Sequence, residues 1–162
     1  ENPGSNPGRC TLMSYIKIEE PRKSKDKNWD DFEKLVADVF EKFNYNVISD
    51  ERFKDKRWHQ IDVIAFNDRY AFFIDCKYHK YIAPSKEIDF IKKQVRRAKA
   101  YIKIDERLTN KKSFILLVTR YKPASLFSYN GEKQRIISVD INSLNDLLKN
   151  VEVYEDSLYS II

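Results

Sequence analysis

The sequence predicts an α/β fold in which helices flank one mixed β-sheet. Two amphipathic helical patterns are separated by three short runs rich in β-branched and aromatic residues, and further apolar runs follow the second helix. The resulting order, α-β-β-β-α-β-β-α, favours a single sheet with helices packed against it. With 162 residues and 42% hydrophobic content, the chain has enough apolar material for one core.

The first 27 residues are predicted to form a flexible tail and linker. Residues 1–9 contain two Asn-Pro-Gly units and no hydrophobic anchor, and residues 21–27 form a short charged segment. Because the chain begins without methionine and Met13 offers a natural start, we interpret residues 1–12 as an extension left by expression. A single folded domain is expected over residues 28–162.

Helical periodicity begins after Asn28, which we expect to cap the first helix. Apolar side chains recur at three- and four-residue spacing over residues 32–43. Asp30 and Asp31 lie in the first turn, where negative charge complements the helix dipole. The pattern indicates an amphipathic helix with one face in the core.

Three strands are predicted to follow this helix, at residues 45–49, 61–66 and 70–77, because each run is rich in β-branched and aromatic side chains. Asn67, Asp68 and Arg69 separate the second and third runs. Such a short polar connection is typical of a tight hairpin turn. The second and third strands are therefore expected to pair antiparallel.

The second helix is predicted to begin near Pro84. Its apolar side chains lie on one face over residues 88–102, and its basic side chains lie largely on the other. Two further strands are expected at residues 114–119 and 136–139. Asn142 is expected to cap a short final helix that carries several leucines.

The composition excludes several classes of protein. No run approaches the roughly 20 apolar residues that a membrane-spanning helix needs, so we expect a soluble protein with no membrane partner. The two cysteines, Cys10 and Cys76, are too few for a disulfide framework or a four-thiolate metal cluster. These observations favour a reducing, cytoplasmic compartment.

The net charge of +5 conceals a local concentration of positive charge. The segment from Lys77 to Lys122 contains 14 basic and 4 acidic residues, whereas the rest of the chain contains 16 basic and 21 acidic residues. Most of this segment is the second helix. A local basic field favours a polyanionic partner, because each neutralised phosphate releases counterions. The alternative is a solvated, lysine-rich surface.

Two aspartates occur where the predicted sheet should be apolar. Residues 70–74 are apolar on both faces of a strand, yet they run directly into Asp75, Cys76 and Lys77. Strand alternation places the Asp75 and Lys77 side chains on one face. If Asp68 and Arg69 form a two-residue turn, counting outward along the hairpin places Asp62 opposite Asp75.

Two opposed carboxylates destabilise a sheet unless a cation lies between them. Hard carboxylate oxygens select Mg²⁺ or Mn²⁺, so the pair predicts a divalent metal site. In the alternative interpretation, Asp62 lies at the surface and Asp75 forms an ordinary salt bridge with Lys77. A one-residue slip of the hairpin would also separate the two aspartates.

These residues resemble the PD-(D/E)xK nuclease superfamily, whose restriction endonuclease-like fold has an αβββαβ core. That superfamily has a glutamate on the first helix, an aspartate that begins the second strand, and an acid-x-lysine motif on the third strand. Here Glu33, Asp62 and the motif Asp75-Cys76-Lys77 occur in that order. The layout over residues 28–149 is most similar to the Mrr-like restriction nucleases and the archaeal Holliday junction resolvases.

The sequence departs from this branch of the superfamily at two positions. His59, Gln60 and Ile61 precede Asp62 without the expected proline, and Asp75 replaces the more usual glutamate. These departures bear more on the subfamily than on the chemistry.

The resemblance implies a metal-dependent phosphodiesterase. Asp62, Asp75 and the main-chain carbonyl of Cys76 would hold Mg²⁺ or Mn²⁺ at the scissile phosphate, and Glu33 would reach the ion directly or through water. Lys77 would position the attacking water or neutralise the transition state. The alternatives are a plain ion pair for Lys77 and an ordinary exposed helical residue for Glu33.

Gln94 is expected on the flank of the basic helix, between its apolar and basic faces. The superfamily often has a glutamine there that orients substrate or water. The alternative is an ordinary residue at the boundary between the two faces. Trp58 is interpreted as a base-stacking residue or a core aromatic, and His59 and His79 as phosphate contacts or surface residues. We expect the nucleic-acid backbone to be bound by Lys92, Lys93, Arg96, Arg97 and Lys99 on the helix, and by Arg52, Lys54, Lys56 and Arg57 in a mobile loop before Asp62.

The leading hypothesis is a Mg²⁺-dependent DNA endonuclease that acts as a homodimer, because one such site cuts one strand. The small size favours structure-selective cutting, as in the junction resolvases, over restriction-like cutting. Two alternatives stay open. One is a catalytically inactive, basic nucleic-acid-binding module of the same fold, and the other is an interaction domain whose basic helix meets an acidic protein.

Overall fold

The computed structural model describes residues 27–78, 82–121, 125–127 and 133–161. The predicted tail lies outside these ranges except for Lys27, which begins the first helix. His79 also lies outside them. No helix in the described ranges is long and apolar enough to cross a membrane.

The described chain alternates helices and strands largely in the predicted order. Its elements are α1 (Lys27–Lys42), β1 (Asn46–Lys54), β2 (Trp58–Phe66), β3 (Tyr70–Lys77), α2 (Pro84–Ile104), a 3₁₀ turn (Glu106–Leu108), β4 (Lys112–Thr119), β5 (Ser125–Phe127), β6 (Arg135–Asp140), α3 (Ile141–Lys149), α4 (Val151–Tyr154) and β7 (Ser160–Ile161).

The strands form one mixed sheet in the order β1-β2-β3-β4-β6-β5, with β7 paired to β4. The hairpins β1-β2 and β2-β3 are antiparallel, whereas β4 pairs parallel with both β3 and β6. The α2 crossover between β3 and β4 accounts for the change of direction, since parallel neighbours cannot be joined by a tight turn. The predicted α/β class and its αβββαβ core are confirmed.

Strand β3 separates two apolar layers. Phe72 and Ile74 face the layer that α1 and α3 cover, whereas Ala71 and Phe73 face the layer beneath α2. Alternation therefore turns Asp75 toward the α2 side of the sheet. Because both faces of β3 are covered, its polar end is also drawn into the interior.

The hairpin between β2 and β3 has the register that the sequence predicts. The Asn67 amide donates to the Tyr70 carbonyl at 2.9 Å, and the Asn67 side-chain oxygen accepts from the Tyr70 amide at 2.8 Å. The strands pair up to Val63 opposite Ile74. The next position along each strand is Asp62 and Asp75, so the alternative of a slipped register is wrong.

Strand β1 is longer than the predicted run, and it ends at Lys54 rather than at residue 49. Asp50 adopts a left-handed backbone conformation with φ of 49°. Buried positions fall at Ile48, Glu51 and Phe53, so the two-residue alternation shifts at Asp50. A strand whose apolar period breaks, and which buries a glutamate, is not recognisable from pattern alone.

Helix α2 is held on the sheet by a buried polar contact as well as by apolar packing. The Tyr101 hydroxyl donates to Glu51 Oε2 on β1 at 3.0 Å. Helix α3 begins at Ile141 with Asp140 at its N-cap, so the prediction of Asn142 as the cap is wrong by two residues. Strand β5, helix α4 and strand β7 were not predicted, because two to four residues are too few to establish a period.

We predict that Phe72→Ala lowers the free energy of unfolding by about 3–5 kcal/mol, because the ring is fully buried against Phe40 and Phe114. Chemical denaturation measures the change. The control Val153→Ala, at an exposed position, should shift stability by less than about 0.5 kcal/mol. A loss below about 1 kcal/mol for Phe72→Ala would contradict the assigned core.

Candidate active site

The candidate site lies where β2 and β3 stop pairing. Asp62 and Asp75 occupy the first positions beyond the last paired residues. The Cys76 amide, which has no β2 carbonyl in the register opposite it, donates to Asp62 Oδ2 at 2.9 Å. The Asp62 carboxylate is close enough to Asp75 to act on its pKa. The predicted convergence of these two aspartates is therefore present in the structure.

Asp75 is an acid in an environment that disfavours its charge. Its residue is only 6% exposed. Burial raises the pKa of Asp75 to about 7, the Asp62 carboxylate adds to the rise, and Lys77 opposes it only in part. Lys77 alone therefore does not neutralise the two carboxylates, and a further cation bound between them would stabilise the pair.

Lys77 provides one part of that charge from a defined position. Its Nζ lies 3.2 Å from Asp75 Oδ1, and its side chain is 14% exposed. The same ammonium lies 4.1 Å from the ring centroid of Phe90 on α2 and 5.8 Å from that of Trp29 on α1. Because aromatic faces attract cations, two helices on opposite sides of the sheet hold this amine at the strand end.

Sequence reasoning missed the two aromatic neighbours of Lys77. Each belongs to a helix whose apolar period explains it as a core residue, so the pattern contains no separate signal. A buried glutamate was also missed: Glu87 on α2 accepts a hydrogen bond from Ser138 Oγ at 2.7 Å. Here a signal was available, because Glu87 lies on the same helical face as Ile91.

Glu33 does not join the two aspartates. It is buried on α1, which packs on the opposite side of the sheet from the Asp75 side chain. Among the described residues, no three His, Cys, Asp or Glu side chains form a group that could hold a metal ion. The expected convergence of three acids is therefore not formed, and a water-mediated role for Glu33 stays a prediction.

Gln94 belongs to α2, and it lies on the face of this helix that covers the Asp75 side of the sheet. It is 1% exposed, so the boundary interpretation is wrong. Neither its Oε1 nor its Nε2 has a hydrogen-bond partner within the described ranges. A buried amide without partners costs about 1–3 kcal/mol, so this side chain fits a position that hydrogen-bonds a bound water or substrate.

The donor set fits a hard divalent cation. Two carboxylates lie next to each other, Asp75 buried and Asp62 partly exposed, and Mg²⁺ commonly binds one or two carboxylates with oxygen donors completing its shell. The N–H and C=O of an extended residue point to the same side, so the Cys76 carbonyl faces the Asp62 side, as does its amide. The Cys76 thiol is buried among the residues of the α1 layer, outside this donor set.

The predicted basic residues fall into two groups around the site. Lys92, Lys93, Arg96 and Lys99 are exposed along α2, and Arg97 is partly buried beside them. Lys56 and Arg57 form part of the exposed turn between β1 and β2.

The prediction that Arg52 and Lys54 lie in a mobile loop is wrong, because both belong to β1. The Arg52 side chain is largely buried, with Nε 3.7 Å from Asp50 Oδ1. Its charge is directed to a neighbour on its own strand rather than to solvent. The predicted loop includes residues 52–57, whereas in the structure the connection between β1 and β2 is confined to residues 55–57.

Residues 28–139 match the sequence profile of the nuclease-related domain (NERD) family. This match confirms the predicted relation to nucleases. No curated protein matches the chain at a significant level.

Similarity to solved structures is low. The Archaeoglobus fulgidus Holliday junction resolvase Hjc is 14% identical over 68% of this chain and 72% of its own, with a TM-score of 0.37. The small subunit of the heterodimeric restriction endonuclease R.BspD6I is 16% identical over 92% and 78%, with a TM-score of 0.47. AF1548, a protein of unknown function, is 18% identical over 56% of this chain with a TM-score of 0.37, and the match spans 47% of its length.

We predict that the metal-free protein loses stability as the pH rises from about 4 to about 7. Asp75 ionises near pH 7 when folded and near 3.8 when unfolded, so the folded state binds more protons across this window. The free energy of unfolding should fall by at most about 4 kcal/mol. Asp75→Asn removes this ionisation, and its melting temperature relative to the parent in EDTA should be higher at about pH 8 than at about pH 4.5.

The matched control is Asp68→Asn, which makes the same chemical change in an exposed turn. Its melting temperature should follow that of the parent at every pH. If the curves of parent and Asp75→Asn are parallel over the whole range, the assigned environment of Asp75 is wrong.

Proposed function

The chain belongs to the nuclease-related domain (NERD) family, and from this premise we propose that it is a divalent-metal-dependent DNA endonuclease. The observation that carries the proposal is the arrangement of Asp62, Asp75 and Lys77 where β2 and β3 separate. Two opposed acids and one amine at the end of buried strands would be costly to fold, and phosphodiester hydrolysis gives each of them a task.

Asp62, Asp75 and the Cys76 carbonyl would hold Mg²⁺ or Mn²⁺. When bound, such an ion stabilises negative charge on a phosphate and lowers the pKa of a water molecule. The contribution of the chain is to keep the two carboxylates next to each other, with Asp75 buried, before any ligand arrives. Preorganised charge of this kind needs little rearrangement during the reaction.

Lys77 would neutralise charge that develops on the scissile phosphate. Its ammonium is held by Asp75 and by the ring of Phe90, so its position is set before substrate binds. Gln94 would orient the water or a phosphate oxygen, since its amide is buried with both polar atoms open to a partner. Both side chains approach from the α2 side of the sheet.

The substrate is proposed to be DNA recognised by shape. The exposed side chains of α2 around residues 92–99 are mainly lysine and arginine, which bind phosphate without reading base edges. We therefore favour structure-selective cutting of branched DNA over sequence-specific restriction. Because one site cuts one strand, cutting both strands of a junction would require a homodimer with two such sites.

Cleavage should require a divalent ion and Asp75. With labelled four-way junction, duplex and single-stranded DNA, we expect the parent to cut in Mg²⁺ or Mn²⁺, to cut the junction fastest, and not to cut in EDTA. Asp75→Asn should lower the single-turnover rate by at least about 10²-fold and still bind the junction. Asp68→Asn, the matched turn variant, should cut at the parental rate.

Cleavage that persists in EDTA and in Asp75→Asn would reject the proposed chemistry. Binding without cleavage under every metal condition would favour the inactive nucleic-acid-binding module. Affinity for an acidic protein with none for DNA would favour the interaction domain. Equal cutting of duplex and junction would be consistent with a nuclease but would contradict the proposed structure selectivity.

The exposed lysines of α2 should contribute to affinity through phosphate contacts. We predict that Lys92→Gln and Lys99→Gln each flatten the plot of log affinity against log salt by about one unit, because each removes about one released counterion. The control Lys34→Gln changes an exposed lysine on α1 that already pairs with Asp38, and it should leave the slope unchanged. Unaltered slopes in both α2 variants would remove this helix from the DNA interface.

A further inference from the structure

A second feature lies on the α2 side of the molecule, beyond the aspartate pair. The turn between β1 and β2 and the adjoining face of α2 enclose an open cleft of about 220 Å³. Trp58, at its wall, is four residues before Asp62 on the same strand, which corresponds to about 13 Å. The cleft is lined by Arg57, Trp58, His59, Lys93, Arg96 and Arg97.

Four cations meet in this cleft, and none of their side chains has a carboxylate partner in the described ranges. Three arginines elsewhere differ in this respect: Arg52, Arg69 and Arg107 each approach a carboxylate, of Asp50, Glu152 and Asp105 respectively. Converging like charges repel unless an anion lies between them. The cleft is therefore arranged for an anion that the described residues do not supply.

The wall formed by the β1-β2 turn is held in place by its own hydrogen bonds. Asp55 Oδ1 accepts from the Arg57 amide at 3.0 Å and contacts His59 Nε2 at 2.8 Å. These contacts, the Arg57 amide first, lower the pKa of Asp55 to about 2. The His59 ring stacks on Phe53 at 5.0 Å. Asp55 and His59 thus stabilise the turn, and the side chain of Arg57 lines the cleft.

Trp58 adds an aromatic surface to this basic wall. Aromatic side chains bind unpaired bases by stacking, and this contribution tolerates any base. The cleft volume equals that of about seven water molecules in the liquid, which is more than a single phosphate needs. The cleft therefore combines cationic side chains that can bind a phosphate with an aromatic ring that can stack on a base, and it has more room than a phosphate alone requires.

We propose that this cleft binds one unpaired nucleotide of the DNA substrate, with its phosphate at the arginines and its base against Trp58. The inference rests on the proposed nuclease function and deepens it, because it assigns the substrate an unpaired nucleotide near the cut. Flaps, gaps and branch points at which a base pair has opened offer such nucleotides, whereas continuous duplex does not.

Trp58 also provides the means to test the cleft without any cleavage. The chain has two tryptophans, so Trp29→Phe leaves Trp58 as the single tryptophan, whose fluorescence is excited selectively over that of the tyrosines. In EDTA, this protein is titrated with 5′-dAMP, deoxyadenosine and inorganic phosphate. We expect saturable quenching by 5′-dAMP, at an affinity at least about tenfold higher than that of either fragment, because stacking and phosphate binding add.

The same titration is repeated with Arg96→Gln and with the matched control Lys103→Gln, an exposed lysine of α2 outside the lining of the cleft. Arg96→Gln should weaken 5′-dAMP binding about tenfold, and Lys103→Gln should leave it unchanged. Circular dichroism of each variant establishes that it is folded. Because the protein needs no metal in this experiment, its outcome does not depend on whether the aspartate pair is catalytic.

Several results would overturn the inference. Equal affinity for inorganic phosphate and 5′-dAMP would make the cleft an anion site with no base recognition. Equal effects of the two variants would place the nucleotide elsewhere. Quenching by an acidic peptide but not by 5′-dAMP would identify a protein partner. If the nucleotide fails to bind while the parent still cuts DNA, only this inference falls and the proposed nuclease stands.

Discussion

The structure depends on one electrostatic constraint, the meeting of two carboxylates where β2 and β3 separate. The Asn67 turn sets the register, and the register leaves Asp62 opposite Asp75. Burial beneath α2 then removes the solvent that would screen their repulsion. Lys77 offsets part of this cost, and a divalent ion would offset the rest. The proposed function follows from this constraint, because a site that requires positive charge at the ends of two inner strands is suited to bind a metal ion and a phosphate together.

Much of this arrangement could be predicted from the sequence because it depends on local rules. A short polar turn between two apolar runs fixes a hairpin, and counting along it places Asp62 and Asp75 opposite each other. The parts that escaped prediction depend on contacts between distant elements. Phe90 and Trp29 meet Lys77 only because α1 and α2 pack on opposite faces of the sheet. The extension of β1 depends on a left-handed backbone conformation at Asp50, which no hydrophobic period signals.

The residues of the sequence motif do not all meet at the site. Asp75 and Lys77 come from one strand and are in contact, whereas Glu33 lies on α1, outside any cluster of three acids among the described residues. Residues linked by strand geometry are thus placed reliably by sequence reasoning. A residue on a separate helix has a position that packing decides, and its spacing along the chain does not determine its distance from the aspartates.

The most direct measurement of the central claim is anomalous X-ray diffraction from crystals of the protein soaked in Mn²⁺. The account predicts one anomalous peak shared by the carboxylates of Asp62 and Asp75, with oxygen donors only, and its loss in crystals of Asp75→Asn. The account would be contradicted if the parent bound Mn²⁺ elsewhere, or bound none while Asp62 and Asp75 kept the positions described above.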